Sequence, residues 1–240
     1  RRQRQMCIRD RGGSQRILPH FKKGHVAHFD EYGHDLEAIL AVAERDFVTK
    51  TRYVLAHSMG GAILLNELSN GRIKIDRGIL SAPMIGLSMV RMPRVAHIVA
   101  NIFSRLGLHR SYVPGGNDNP LMDFDDNPLT SDPVRFSISR SILTIAPDLA
   151  IASPTIGWVK TSFDTMCYLQ DPTTAQKIPT PLLFLAGAGD RITDTKVTEQ
   201  FVARLQHGKL LKLDGAEHEI LLERDALRNQ FWQAFDEFVA

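Results

Sequence analysis

Apolar and polar positions in this chain follow two rhythms. Residues 35–47 (DLEAILAVAERDF) place apolar side chains at 36, 39, 40 and 43, the spacing of one helical face. Their acidic start and Arg45 near the end suit the helix dipole. Residues 53–56 are a short apolar run that stops at Ser58, and a helical pattern resumes over residues 62–68. A second buried strand is predicted over residues 78–82, closed by Pro83. Residues 179–187 (PTPLLFLAG) are continuously apolar and predict a strand over 182–186. A helix over 194–205, a short last strand at 210–214 and an amphipathic helix over 231–239 complete the pattern. Continuous apolar strands separated by helices predict an α/β fold, a mostly parallel sheet with helices on both faces.

Residues 84–176 break this rhythm. They hold helical segments, many prolines and a Pro114-Gly-Gly-Asn-Asp-Asn-Pro120 loop, with no obvious strand. They read as a helical cap inserted over the C-terminal edge of the sheet, where open α/β sheets place their ligands. The expected organisation is therefore a leader over 1–12, core over 13–83, cap over 84–176 and core again over 177–240. Residues 84–112 contain no acidic side chain. From Pro93 on, positions 94, 97, 101 and 105 make one polar face, and Val95, Ile98, Val99, Ile102, Phe103 and Leu106 make the other. The expectation is a cap helix packed by its apolar face with a solvated basic face. Contact with anionic lipid head groups and acyl chains is the second reading.

Composition narrows the partners. The chain has 240 residues, 43% hydrophobic and 23% charged, with a net charge of +2, too small to imply nucleic acid. No apolar run is long enough for a transmembrane helix. Cys7 and Cys167 suggest neither a disulfide scaffold nor a metal knuckle. His25, His28 and His34 have no closed zinc-site spacing. The acidic loop 123–127 lacks the glycine and distal glutamate of a calcium loop. Neither a metal nor a cofactor is expected. The expected setting is cytoplasmic, with peripheral contact at the inner membrane face as a further expectation. The first dozen residues are arginine-rich and aperiodic, and are expected to be a foreign or disordered leader.

The chemistry concentrates at Ala56-His-Ser-Met-Gly-Gly61. A strand, a serine at the tip of a sharp turn and a helix are the layout of a nucleophile elbow. Ala56 stands where G-x-S-x-G has its first glycine. On this pentapeptide alone, Ser58 could equally be the N-cap of an ordinary helix. Two further residues change the balance. Asp190 follows the 182–186 strand, and His218 lies in the loop after the last strand, in Asp214-Gly-Ala-Glu-His-Glu219. A serine needs a base and the base needs an orienting acid, and the order Ser, Asp, His is the one an α/β-hydrolase requires. His57 is expected to shape the pocket rather than act as base. Trp158 and Phe163 are expected either to line the inner face of the cap, against substrate, or to pack in the core.

These motifs, together with Gly187-Ala-Gly-Asp190, resemble the lysophospholipase and monoacylglycerol lipase branch of the α/β-hydrolase superfamily. The resemblance covers residues 13–240. The segments Asn127-Pro-Leu-Thr-Ser-Asp-Pro133 and Pro154-Thr-Ile-Gly-Trp158 are most similar to bacterial lysophospholipases of the L2 type. It implies an acyl-enzyme esterase acting on a lipid-like ester such as a lysophospholipid or monoacylglycerol, with the oxyanion held by the Met59 N–H and a second donor. In the family that second donor comes from a His-Gly loop upstream of the elbow. The resemblance would place this loop, with the first strands, before Arg11-Gly-Gly-Ser14, so an N-terminally truncated and weakly active chain is expected. A small-molecule esterase or peptidase of the same fold, or an inactive fragment or binding protein, are the alternatives.

Overall fold

The computed structural model describes residues 12–47 and 51–240. The expected leader therefore lies almost wholly outside the described residues. In chain order the elements are α1 (Asp30–Asp46), β1 (Tyr53–His57), α2 (Met59–Ser69), β2 (Arg77–Ser81), α3 (Pro93–Arg105), α4 (Pro133–Ile145), α5 (Ile156–Gln170), α6 (Pro172–Gln176), β3 (Leu182–Gly187), α7 (Thr195–Val202), β4 (Gly208–Leu213) and α8 (Asp225–Val239). The strands form one sheet in the order β1-β2-β3-β4, parallel at every pairing. Parallel pairing puts the C-terminal end of each strand on the same rim, and the loops after β1, β3 and β4 all open there.

Strand periodicity splits the sheet's side chains between two layers. Ile79, Leu183 and Leu185 face α8, whose Phe231 and Phe238 close that layer with Leu213, Ala216 and Ile220. On the opposite face, Phe184 meets Phe201 of α7 at 6.1 Å between ring centroids. Each fully buried leucine, isoleucine or phenylalanine here contributes about 2–3 kcal/mol through the apolar area removed from water.

The chain divides into two compact units, each discontinuous in sequence. One comprises, among the described residues, 51–91, 123–138 and 165–240, and holds the sheet. The other comprises, among the described residues, 12–47, 92–122 and 139–164, and holds α1 and α3. In this second unit α1 presents Tyr32, which is fully buried, and the Tyr32 hydroxyl accepts a hydrogen bond from Trp158 Nε1 at 3.2 Å.

Helix α3 corrects the expectation drawn from its pattern. Most of its apolar face does not pack: Val95, Ile98, Val99, Ile102 and Leu106 are between 38% and 68% exposed, and only Phe103 is half-buried. Ala100 is buried and His97 and Asn101 are half-buried, with His97 Nε2 2.6 Å from Asp164 Oδ1, while Arg94 and Arg105 stay exposed. Amphipathicity gives a helix two faces, but it does not fix which side finds partners, and here the polar contact of His97 with Asp164 holds one side while the apolar face stays largely open.

Candidate active site

The site is built on the elbow between β1 and α2. Ser58 has φ 50° and ψ −116°, a left-handed conformation that a side-chain-bearing residue adopts only when its surroundings force it. The surroundings are explicit. The Ser58 N–H donates to the Ser81 carbonyl at 2.9 Å, and the Ser58 carbonyl accepts from the N–H groups of Gly61 and Met84, each at 3.0 Å. Gly61 lets the turn close: a Cβ there would lie 2.7 Å from Pro83 Cβ and 3.0 Å from Pro83 Cα. A Cβ on Gly60 would meet only Ala56 Cβ, at 3.9 Å, so the Ala56 methyl has room and the motif tolerates it.

Ser58 makes no side-chain cap bond to α2. Its Oγ instead lies 3.0 Å from His218 Nε2. His218 Nδ1 lies 2.9 Å from Asp190 Oδ2. The two side chains of this pair are almost completely buried, at 5% and 1% exposure. Asp190 is held by further donors: Ile192 N–H at 2.7 Å and Thr193 N–H at 3.0 Å to Oδ1, and the Thr193 hydroxyl at 2.6 Å to Oδ2. Burial pushes this carboxyl up, but the hydrogen bond and charge of His218, with the bonds from Thr193 and Ile192, outweigh it and hold Asp190 below its ordinary value. An ionised Asp190 fixes the tautomer with hydrogen on Nδ1 and leaves Nε2 free to accept the serine proton. Gly187 lets the acid and base loops touch, because a Cβ there would lie 2.6 Å from the Glu217 carbonyl oxygen.

Met59 is the first residue of α2, so its N–H sits at the positive end of the helix beside Ser58. His57 lies alongside the relay, its ring 4.8 Å from that of His218. Its Nδ1 is 3.4 Å from Ser81 Oγ, and its Nε2 is 3.1 Å from Glu219 Oε1. Burial pushes Glu219 up, and the close contact with His57, with the nearby His218, brings it below its ordinary value. Trp158 and Phe163 belong to the other unit, where Phe163 is buried and stacks on His97 at 5.6 Å. His25, one of the three histidines weighed for a metal, has Nδ1 2.8 Å from Thr155 Oγ1. Among the described residues no group of His, Cys, Asp and Glu could hold a metal ion.

Sequence reasoning passed over Thr193 and Glu219. Thr193 stands three residues beyond Asp190, a spacing at which a hydroxyl and an N–H reach back to a carboxylate. Glu219 directly follows the base and has no periodic signal of its own.

A parallel sheet carrying a strained serine elbow, with an acid and a base in the loops after later strands, defines an α/β-hydrolase. Within that class the chain belongs to the family described as serine aminopeptidase, S33, whose model matches residues 11–225. It is 30% identical over 239 residues to lysophospholipase L2 of Escherichia coli strain K12, covering 96% of this chain and 69% of that protein. It is 29% identical over 231 residues to the probable lysophospholipase L2 of Haemophilus influenzae, covering 96% of this chain and 72% of that one. Among solved structures, a soluble variant of the monoglyceride lipase of Saccharomyces cerevisiae, in complex with a substrate analog, has the same fold. Its TM-score is 0.73 at 21% identity, over 96% of this chain and 74% of the other.

Proposed function

We propose that this protein is a serine ester hydrolase that cleaves lipid-like carboxylic esters, lysophospholipids or monoacylglycerols, through an acyl-enzyme. The observation that carries the reading is the continuous relay from Ser58 Oγ through His218 to Asp190, at 3.0 Å and 2.9 Å. His218 Nε2 takes the hydroxyl proton as Ser58 Oγ attacks the ester carbonyl. Asp190 stabilises the imidazolium. The Met59 N–H donates to the developing oxyanion. His218 then returns the proton to the leaving alcohol, and the same imidazole activates the water that frees Ser58. The lipid-like substrate class is supported by the two relatives named lysophospholipase L2. The exposed apolar face of α3, flanked by Arg91, Arg94 and Arg105, supports peripheral contact with an anionic lipid surface, where such esters reside.

Labelling with a fluorophosphonate tests the nucleophile. The parent chain is expected to label, and Ser58→Ala to lose labelling and on the order of 10⁴-fold or more of ester turnover. A folded parent that resists the probe overturns the reading. The family description favours one second reading, cleavage of an N-terminal amino acid. An aminoacyl nitroanilide assayed beside a lysophospholipid and a monoacylglycerol separates the two.

A further inference from the structure

The segment 127–131 (NPLTS), which the catalytic relay does not use, is bonded to both loops that carry it. Arg191, next to the acid, donates from Nη2 to the Asn127 carbonyl at 2.7 Å. On the base side, the Glu219 N–H donates to the Leu129 carbonyl at 2.7 Å, and the Thr130 hydroxyl donates to the Leu222 carbonyl at 2.7 Å. The segment holds its own shape through Asn127, whose Oδ1 accepts the N–H groups of Leu129 at 2.9 Å and Thr130 at 3.0 Å. Asn127 and Thr130 are both buried.

The centre of this arrangement is Glu223, a fully buried carboxylate five residues past the base. Its Oε1 accepts the N–H groups of Glu217 at 2.8 Å and Ser131 at 3.1 Å. Its Oε2 accepts the Ser131 hydroxyl at 2.5 Å and the Arg224 N–H at 3.3 Å. The charged groups nearby come from two elements and their approaches. Arg135 of α4 bonds to the Glu223 carbonyl, to Asp132 at 3.1 Å and to Asp225 at 2.5 Å, and Arg224 Nε donates to Ser131 Oγ at 3.0 Å. A carboxylate taken out of water and met by four donors is costly to disturb, and this one bridges the residue before His218 to a distant segment.

We infer that Glu223 is a positioning residue for the reaction: through Glu217 and Ser131 it clamps the His218 loop to the 127–131 strap and so sets the imidazole between Ser58 and Asp190. It touches no reacting atom. The inference rests on the esterase reading, since it assigns His218 as the base.

The test is a variant series on the full chain: Glu223→Ala, Glu223→Gln, and the double variant Thr130→Val with Ser131→Ala. Three readouts are taken: the rate of fluorophosphonate labelling, kcat and KM on a monoacylglycerol, and the low-field proton resonance of His218 Nδ1–H. Glu223→Ala is expected to lose roughly tenfold to a hundredfold in labelling rate and kcat, with KM nearly unchanged, since small displacements of a reacting group cost that much. Its Nδ1–H resonance broadens or disappears. Glu223→Gln keeps an oxygen for the Glu217 and Ser131 N–H groups and offers an N–H₂ to the Ser131 hydroxyl oxygen, giving up only the long 3.3 Å bond from the Arg224 N–H, so it restores most of the rate and the resonance. The double variant, which leaves the base loop's own sequence intact, shows a smaller loss of the same kind. If Glu223→Ala does not fold, the double variant decides. Parental rates and an unchanged resonance in folded variants overturn the inference. So does a loss that Glu223→Gln fails to restore while melting temperature falls in step. A parent chain that shows the resonance but neither labels nor turns over sinks the esterase reading instead, and the resonance in the variants still decides the clamp.

Discussion

At the scale of single residues, the site is a set of groups kept in conformations or environments they would not choose. Ser58 holds a positive φ because Ser81, Gly61 and Met84 take up its backbone groups. Such a residue stores about 1–3 kcal/mol that the rest of the fold offsets. Asp190 is buried, yet four bonded or charged contributions around it keep its carboxyl below the ordinary value. The sign of the linkage follows. The stability it adds is complete above its value in the unfolded chain, and is lost as pH falls through that value toward the lower, folded one. The parent's melting temperature is therefore expected to fall below roughly pH 4, and Asp190→Asn to show a flatter fall across that window. The same variant is expected to lower kcat on the order of 10⁴-fold, because the amide no longer fixes the imidazole tautomer. An acid limb as steep in Asp190→Asn as in the parent contradicts the assignment. The three relay residues were legible in the sequence because each sits where an apolar run ends, and strand ends share one rim in a parallel sheet. Glu223 was not legible. A single carboxylate in a loop has no period, and its importance comes from donors that are distant in sequence.

At the scale of elements, the strands were read within a residue or two, since continuous apolar runs between turn residues have few other interpretations. Helix starts were less clear. α8 begins at Asp225 rather than at 231, because its first turns are mostly polar; Phe231 and Phe238 are its buried residues, and Leu227 packs on the core from the first turns. α1 begins at Asp30, with Asp30 and Glu31 favouring its N-terminus and Tyr32 buried in its first turn. α3 gave the clearest failure. Its two faces were read correctly and its basic residues Arg94 and Arg105 are solvated as expected, but its apolar face is largely exposed, and the His97–Asp164 pair that holds its other side cannot be seen in one stretch of sequence. An exposed apolar face beside exposed arginines makes α3 testable as an interfacial helix. The parent is expected to bind vesicles containing anionic lipid. Ile98→Asp with Ile102→Asp should abolish most of that binding. Arg94→Glu with Arg105→Glu should weaken it on the order of tenfold or more at low salt, at about 1 kcal/mol per basic residue near such a surface. Equal sedimentation of all three proteins with the vesicles removes the lipid reading of this helix.

At the scale of the whole molecule, the class of fold was readable from the alternation of apolar strands and helices, while the division into units was not. The pattern suggests a cap inserted as one block, whereas the structure assigns residues 123–138 to the unit that holds the sheet, and residues 12–47 to the unit that holds α3. Composition cannot reveal this, because the strap 127–131 earns its place through bonds to loops near residues 191 and 217–223. The braiding has a practical corollary for anyone handling the protein. A protease that cuts once in the exposed stretch around Asn117–Asn119 would produce two polypeptides, each carrying threads of both units. They should travel together on a native gel and separate only in denaturant, and no single continuous fragment should reproduce either unit alone.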